Sequence, residues 1–111
     1  MEKSQPIRML CTYQIKDGKE ADFLSLLEKH WPTLHGIGLA TDDAAKVFRG
    51  QNKAGKTVFI EMFSWKDASS PDVAHQTPEI MAVWEPMGAL AEDMNFWTIE
   101  SVAMPFAQSR S

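Results

Sequence analysis

The stretch Thr57–Trp65, TVFIEMFSW, decides the fold of this chain. It has the length and the β-branched and aromatic content of a β-strand. Large apolar side chains occupy both faces of this predicted strand: Val58, Ile60 and Met62 on one, and Phe59, Phe63 and Trp65 on the other. A strand that is apolar on both faces is typical of a sheet buried on both sides. The sequence therefore predicts a sheet that needs a cover on each face.

The segments before this stretch predict a strand, a helix and a second strand. Ile7–Lys16 is apolar at every odd position, and Asp17-Gly18 then supplies a turn. From Lys19 the apolar residues recur at the spacing of an amphipathic helix, which Pro32 is expected to kink or end. Residues 45–51, AKVFRGQ, predict a short strand.

The segments after it predict a broken helix and a final strand. Ser70-Pro71 and Thr77-Pro78 each resemble a helix start, because serine and threonine favour the N-cap and proline favours the first helical position. Pro86 is expected to interrupt the second piece. Met94–Val102 predicts a strand with apolar residues on both faces, Phe96 and Val102 on one and Trp97 and Ile99 on the other.

The resulting order, βαββαβ, predicts an α+β ferredoxin-like plait, in which a four-stranded antiparallel sheet carries helices on one face. We expect one domain over residues 1–111, with a core from about 7 to 104. Two helices cover one face of the sheet. The second apolar face predicts a homodimer that pairs two sheets.

The amino-acid composition limits which binding partners and which cellular location are expected. The 111 residues carry a net charge of −4, and the basic residues are scattered, which argues against nucleic acid and anionic membranes. No apolar run reaches the roughly 18 residues needed to span a bilayer. The single cysteine, Cys11, excludes an internal disulfide, so a cytoplasmic location is expected.

Part of the sequence resembles a known family. Trp65-Lys66 ends the third predicted strand, His75 follows ten residues later, and Pro78-Glu79 comes next. With the βαββαβ order, this pattern resembles the dimeric α+β barrel superfamily, in particular its antibiotic biosynthesis monooxygenase-like group. The runs HWPTL, GLATD and AHQTPEIMAVWEPM resemble a branch of uncharacterised small proteins in that group.

The resemblance implies that two sheets pack face to face in a homodimer and that each subunit keeps an apolar pocket between sheet and helices. Members of the superfamily include cofactor-free oxygenases and haem-degrading enzymes. The haem-degrading branch has an asparagine in strand one, a tryptophan in the second helical region and a histidine ten residues beyond it. Here these places hold Tyr13 or Gln14, His75 and Glu85, so no haem and no other cofactor is expected.

His75 and Glu61 are the candidate catalytic residues. As a neutral imidazole, His75 could take the proton of a phenol or hydroquinone, while Glu61 could orient His75 or accept a substrate hydroxyl. The alternatives are a buried structural His75, bonded to a backbone carbonyl or to Glu61, and a Glu61 that only forms a salt bridge. Aromatic residues that could wall a substrate pocket, or simply fill a core, are Trp65, Phe63, Trp84, Tyr13 and Trp97.

No metal site is expected. His30 and His35 flank Trp31-Pro32 and are expected to be partly exposed, and no cysteine or compact carboxylate cluster accompanies them.

Three functions remain open at this point. The first is a cofactor-independent monooxygenase-like enzyme for a small aromatic or quinone-like compound, with His75 as base. The second is a dimeric module that binds a small apolar ligand, or serves an accessory role, without catalysis. The third is a domain whose tryptophans fill the pocket completely.

Overall fold

A computed structural model describes residues 5–108, so the predicted domain's ends, 1–4 and 109–111, lie outside the described residues. It contains a four-stranded antiparallel sheet in the order β2-β3-β1-β4, with helices on one face. The predicted α+β ferredoxin-like plait is confirmed. The strands are β1 (Ile7–Ile15), β2 (Lys46–Gln51), β3 (Thr57–Trp65) and β4 (Ala91–Thr98), and the helices are α1 (Glu20–Gly36), α2 (Ser70–His75), α3 (Pro78–Leu90) and α4 (Pro105–Gln108).

The two central strands, β1 and β3, set the two faces of the sheet. They pair so that Cys11 lies opposite Glu61 and Tyr13 lies opposite Phe59. Successive side chains of a strand point to opposite faces, so the odd-numbered residues of both strands face the helices. These residues are buried from Cys11 to Ile15 in β1 and from Phe59 to Trp65 in β3. The period-2 pattern read from the sequence is therefore the pattern of burial.

Helix α1 packs on the sheet through one stripe of side chains. Phe23, Leu27, His30 and Leu34 are its buried residues, at the three- and four-residue spacing of a helix face. The ring of Phe23 stacks on Phe59 with centroids 5.8 Å apart. These contacts fix the height of α1 above β1 and β3.

Two prolines lie inside helices that they were predicted to disturb. Helix α1 continues to Gly36, four residues past Pro32, and α3 continues to Leu90, four residues past Pro86. A proline removes one N–H donor and frees the carbonyl four residues earlier. Those earlier residues, at positions 28 and 82, are exposed, so water can bind the freed carbonyls. Of the two outcomes expected at Pro32, a kink or an end, the end is therefore wrong; the break at Pro86 is also wrong, whereas the break at Thr77 is confirmed.

Strand β4 begins and ends earlier than predicted. It spans Ala91–Thr98 rather than Met94–Val102. The last residue pair of its ladder with β1 joins Thr98 to Met9, and one further backbone hydrogen bond runs from the N–H of Ile99 to the carbonyl of Arg8, close to the start of β1 at Ile7. Val102 lies beyond the strand and is 71% exposed. Its predicted place on a sheet face is therefore wrong.

The face of the sheet that points away from the helices carries a group of large apolar side chains with no helix packed on them among residues 5–108. Leu10, Val58, Ile60 and Met62 are half-buried there. Phe48 of β2 is opposite Ile60, and Trp97 of β4 is opposite Leu10; both are exposed. We call these six residues the open sheet face.

Candidate functional site

A cavity of about 750 Å³ lies between the helix side of the sheet and the helices α2 and α3. Ligand pockets in proteins typically enclose about 300–1,000 Å³. The alternative of a pocket completely filled by tryptophan side chains is therefore wrong. The aromatic side chains that line the cavity are those of Tyr13, Phe63, Trp65, Trp84 and Phe96.

His75 lies at the rim of this cavity, at the end of α2. The residue is exposed, and its ring centroid is 4.9 Å from that of Trp84 at an angle of 56°. Within the described part of the chain, no hydrogen bond involves its imidazole. The alternative of a buried, structural His75 is therefore wrong, and its ring is open to a ligand in the cavity.

Glu61 is fully buried beneath the cavity floor, in the middle of β3. The hydroxyl of Tyr13 donates a hydrogen bond of 2.7 Å to its Oε1 atom. The Nδ1 atom of His30 lies 2.9 Å from Oε1 and 2.8 Å from Oε2. Glu61 is therefore joined to His30 and Tyr13, and the predicted contact with His75 is not formed, because His75 sits at the rim while β3 lies under α1.

The indole of Trp84 fixes the proton position on His30. Its Nε1 atom donates to the Nε2 atom of His30 across 2.8 Å. An indole N–H can only donate, so Nε2 must accept, and the imidazole proton resides on Nδ1, from which it is donated to Glu61. His30 is thus a neutral imidazole held between a carboxylate and an indole. We call Tyr13, Glu61, His30 and Trp84 the buried network.

The burial of His30 was not predicted from the sequence. His30 is 3% exposed, against the expectation of partial exposure, whereas His35 is exposed and bonds Asp42 at 2.8 Å. The signal was present, since residue 30 continues the helical spacing of Phe23, Leu27 and Leu34. The adjacent Pro32 pointed to a helix end, where a histidine is usually solvated.

Among the predicted wall residues, only Trp97 is absent from the cavity. It lies opposite Leu10 on the open sheet face. Its neighbour Phe96 lies opposite Cys11 and lines the cavity instead. Adjacent residues of a strand point to opposite faces, so only one of the two aromatic rings can reach the cavity.

The two buried hydroxyl and thiol groups of β1 stay protonated. Burial raises the pKa of Tyr13 far above its ordinary value, and the neighbouring Glu61 carboxylate raises it further. The same two causes, burial first, raise the pKa of Cys11 to about 12. Neither group is available as a base at neutral pH.

We expect the Cys11 thiol to resist a chromogenic aromatic disulfide at pH 8 while the protein is folded. With a pKa of about 12, on the order of one thiol in ten thousand is ionised at that pH, against roughly a quarter for an ordinary cysteine. Labelling should be at least about 10³-fold slower than in urea-unfolded protein. Stoichiometric labelling of the folded protein at the unfolded rate would show that Cys11 is accessible and ionised.

Two other kinds of site are not found over residues 5–108. No three histidine, cysteine, aspartate or glutamate side chains cluster as they would around a metal ion. No helix in this range is long and apolar enough to cross a membrane.

Comparison with known proteins identifies the fold. No family profile and no curated protein matches the chain. A solved antibiotic biosynthesis monooxygenase superposes on it with a TM-score of 0.65 and 20% sequence identity, covering 87% of this chain and 99% of that one. The chain has the fold of an antibiotic biosynthesis monooxygenase. This confirms the fold that the resemblance implied.

Two further structures share this fold. SnoaB, a cofactor-independent oxygenase from Streptomyces nogalater, has a TM-score of 0.68 and 13% identity, covering 88% of this chain and 96% of that one. A conserved protein from Bacteroides thetaiotaomicron, described as a possible oxidoreductase, has a TM-score of 0.67 and 12% identity, covering 86% and 99%. At these identities the likeness concerns the fold alone, and function has to be argued from the cavity.

Proposed function

We propose that this protein is a cofactor-independent oxygenase that acts, as a homodimer, on a small aromatic or quinone-like compound bearing a hydroxyl group. The supporting observation is the aromatic cavity with two histidine rings on its wall, His30 and His75. The fold shared with SnoaB, a cofactor-independent oxygenase, adds support. The alternative, a module that binds a small apolar ligand without catalysis, would use the same cavity.

The cavity suits a flat, mostly apolar ring system. Rings pack well against Phe63, Trp65 and Trp84, whose planes meet at steep angles and form an angular wall. Met81 and Met87 add flexible apolar surface that adapts to an irregular ligand.

The chemistry needs a base and dioxygen. A histidine that removes the hydroxyl proton turns a phenol into an electron-rich anion, which reacts more readily with oxygen. A substrate that loses two hydrogen atoms and gains one oxygen atom, SH₂ + O₂ → SO + H₂O, supplies all the electrons itself. The sequence prediction gives the base role to His75. His30 is the other histidine on the cavity wall.

The homodimer would use the open sheet face. Two such faces would cover each other's apolar residues, and packed sheets lie about 10 Å apart with interdigitated side chains. A twofold axis brings the same residues of both subunits together, which suits a self-complementary apolar surface.

Blocking the cavity tests the enzyme proposal. Gly88 of α3 lines the cavity, and a Cβ atom added there meets no atom within 4 Å, so the side chain of Gly88→Phe has room to begin at the cavity wall and occupy the cavity. Gly36→Phe, in α1 and with equally open surroundings, is the matched control. We expect oxygen uptake with a responsive phenol or hydroquinone to fall in kcat/KM by at least about tenfold in Gly88→Phe alone.

The assay should screen hydroquinones and polycyclic phenols with an oxygen electrode and identify products by mass. The expected product has gained one oxygen atom and lost two hydrogen atoms. Compounds that bind the wild type but consume no oxygen, and whose binding Gly88→Phe removes, would favour the ligand-binding module. Equal rates in both glycine variants would place the reaction outside this cavity.

A further inference from the structure

His30 presents its two ring nitrogen atoms to different surroundings. Nδ1 is held by both carboxylate oxygens of Glu61, below the cavity. Nε2 accepts from the indole of Trp84, which is itself a cavity wall. The one basic nitrogen of the neutral ring is thus on the side of the cavity.

We propose that His30 is the base of the reaction and that Glu61 is its positioning residue. Before the substrate binds, the indole N–H of Trp84 occupies the position on Nε2 that the substrate hydroxyl then takes. This role rests on the proposed function, in which His30 is the group that accepts the substrate proton. His75 then contributes to binding at the rim.

The proton transfer conserves atoms and electrons within the buried network. The O–H bond of the substrate breaks and an N–H bond forms at Nε2, while the electron pair stays on the substrate oxygen. The Nδ1 proton remains on its hydrogen bond to Glu61. The resulting imidazolium therefore contacts a carboxylate, and this attraction is strong because Glu61 is fully buried.

The hydroxyl of Tyr13 holds the carboxylate of Glu61 in position beside His30. It donates to Oε1 at 2.7 Å, the same oxygen that lies 2.9 Å from Nδ1 of His30. The raised pKa of Tyr13 keeps that donor in place at neutral pH. By contrast, His75 is exposed and contacts no carboxylate in the described chain. Glu61 contacts His30 directly, and the other titratable groups that line the cavity with His30 are Cys11, Tyr13, His75 and Glu85.

The Trp84 N–H gives the site selectivity for a hydroxyl group. The indole N–H donates to the lone pair of Nε2 but is too weak an acid to transfer its proton, so it holds the neutral tautomer without reacting. A substrate hydroxyl exchanges one hydrogen bond for another, at little cost. An aromatic compound without a donor would leave Nε2 bonded to Trp84 and gain nothing from His30.

The test uses 4-nitrophenol, whose phenolate is yellow, and nitrobenzene, which has the same ring without the hydroxyl. We expect the whole protein to bind 4-nitrophenol more tightly than nitrobenzene and to raise its phenolate fraction. Glu61→Gln, which keeps the shape and removes the charge, should lower the ionisation constant of bound 4-nitrophenol about tenfold or more. Glu28→Gln, an exposed substitution in α1, is the matched control and should leave it unchanged.

Trp84→Phe is expected to strengthen the preference for 4-nitrophenol, whereas Glu61→Gln weakens its ionisation. The phenylalanine keeps an aromatic wall and removes the competing donor, so the affinity ratio of 4-nitrophenol to nitrobenzene should rise about threefold to tenfold. A merely structural role of Trp84 would lower both affinities together. This variant and Glu61→Gln decide the question even where His30→Asn does not fold.

The outcomes separate the two proposals. If neither 4-nitrophenol nor the hydroquinones bind the wild type, the proposed function fails. If 4-nitrophenol binds but stays neutral, or if its phenolate persists in His30→Asn and disappears in His75→Ala, the assignment to His30 is overturned while the proposed function stands.

Discussion

His30→Leu is expected to lower the free energy of unfolding by about 3–5 kcal/mol, because it leaves the buried Glu61 carboxylate without one of its hydrogen-bond donors. Leucine has a similar volume, so the main effect is electrostatic. The fully buried Glu61 loses its contact with Nδ1 and keeps only the Tyr13 hydroxyl, and the indole of Trp84 loses its acceptor. Urea unfolding, followed by circular dichroism, measures the change.

A second substitution identifies the cause. Adding Glu61→Gln to His30→Leu should restore at least about 1 kcal/mol, because the uncompensated charge is then absent. The matched control is His35→Leu, an exposed histidine of the same helix, which should change stability by less than about 0.5 kcal/mol. A loss below about 1 kcal/mol in His30→Leu, or strictly additive effects in the double variant, would contradict a stabilising role of the buried network.

Ile60→Glu is expected to convert the proposed homodimer into a monomer. Ile60 lies in the middle of the open sheet face, opposite Thr12 on one side and Phe48 on the other. A twofold interface would bury the introduced carboxylate twice without a partner. We expect the dissociation constant to rise by more than about 100-fold, a loss of roughly 2.8 kcal/mol.

Light scattering after size exclusion gives the mass directly, since one chain weighs 12.5 kDa. Ala21→Glu adds the same charge on the exposed side of α1 and should leave the dimer intact. If the wild-type protein is monomeric at every concentration, the proposed homodimer through the open sheet face is ruled out. A dimer that persists in Ile60→Glu would place the interface elsewhere.

The sheet could be predicted because its information is local. The alternation in TVFIEMFSW and in the first strand assigns each residue to a face without knowledge of any partner. The register of β4 could not be predicted in this way. Apolar residues continue past Thr98 at Ile99 and Val102, so the sequence pattern does not show that the ladder with β1 ends at the pair Met9 and Thr98.

The buried network could not be predicted because its members are far apart in the sequence. His30 and Glu61 are separated by 31 residues, and His30 and Trp84 by 54. The sequence marks Glu61 as a carboxylate on a buried face that needs a partner, but the pattern favoured His75 as that partner and a partly exposed His30. Packing of α1 on β3 makes the choice, and it depends on the continuation of α1 past Pro32.

The pairing of β1 with β4 also determines when the cavity can form during folding. The pair Met9 and Thr98 closes a loop of nearly the whole described chain, whereas β2 and β3 join across a short turn. Long loops cost more entropy to close, so strand β4 is expected to dock late. It carries Met94, Phe96 and Thr98, which form one cavity wall. Intermediates that have formed only β1, β2 and β3 therefore cannot yet hold a ligand, and ligand binding should slow unfolding by opposing the release of β4.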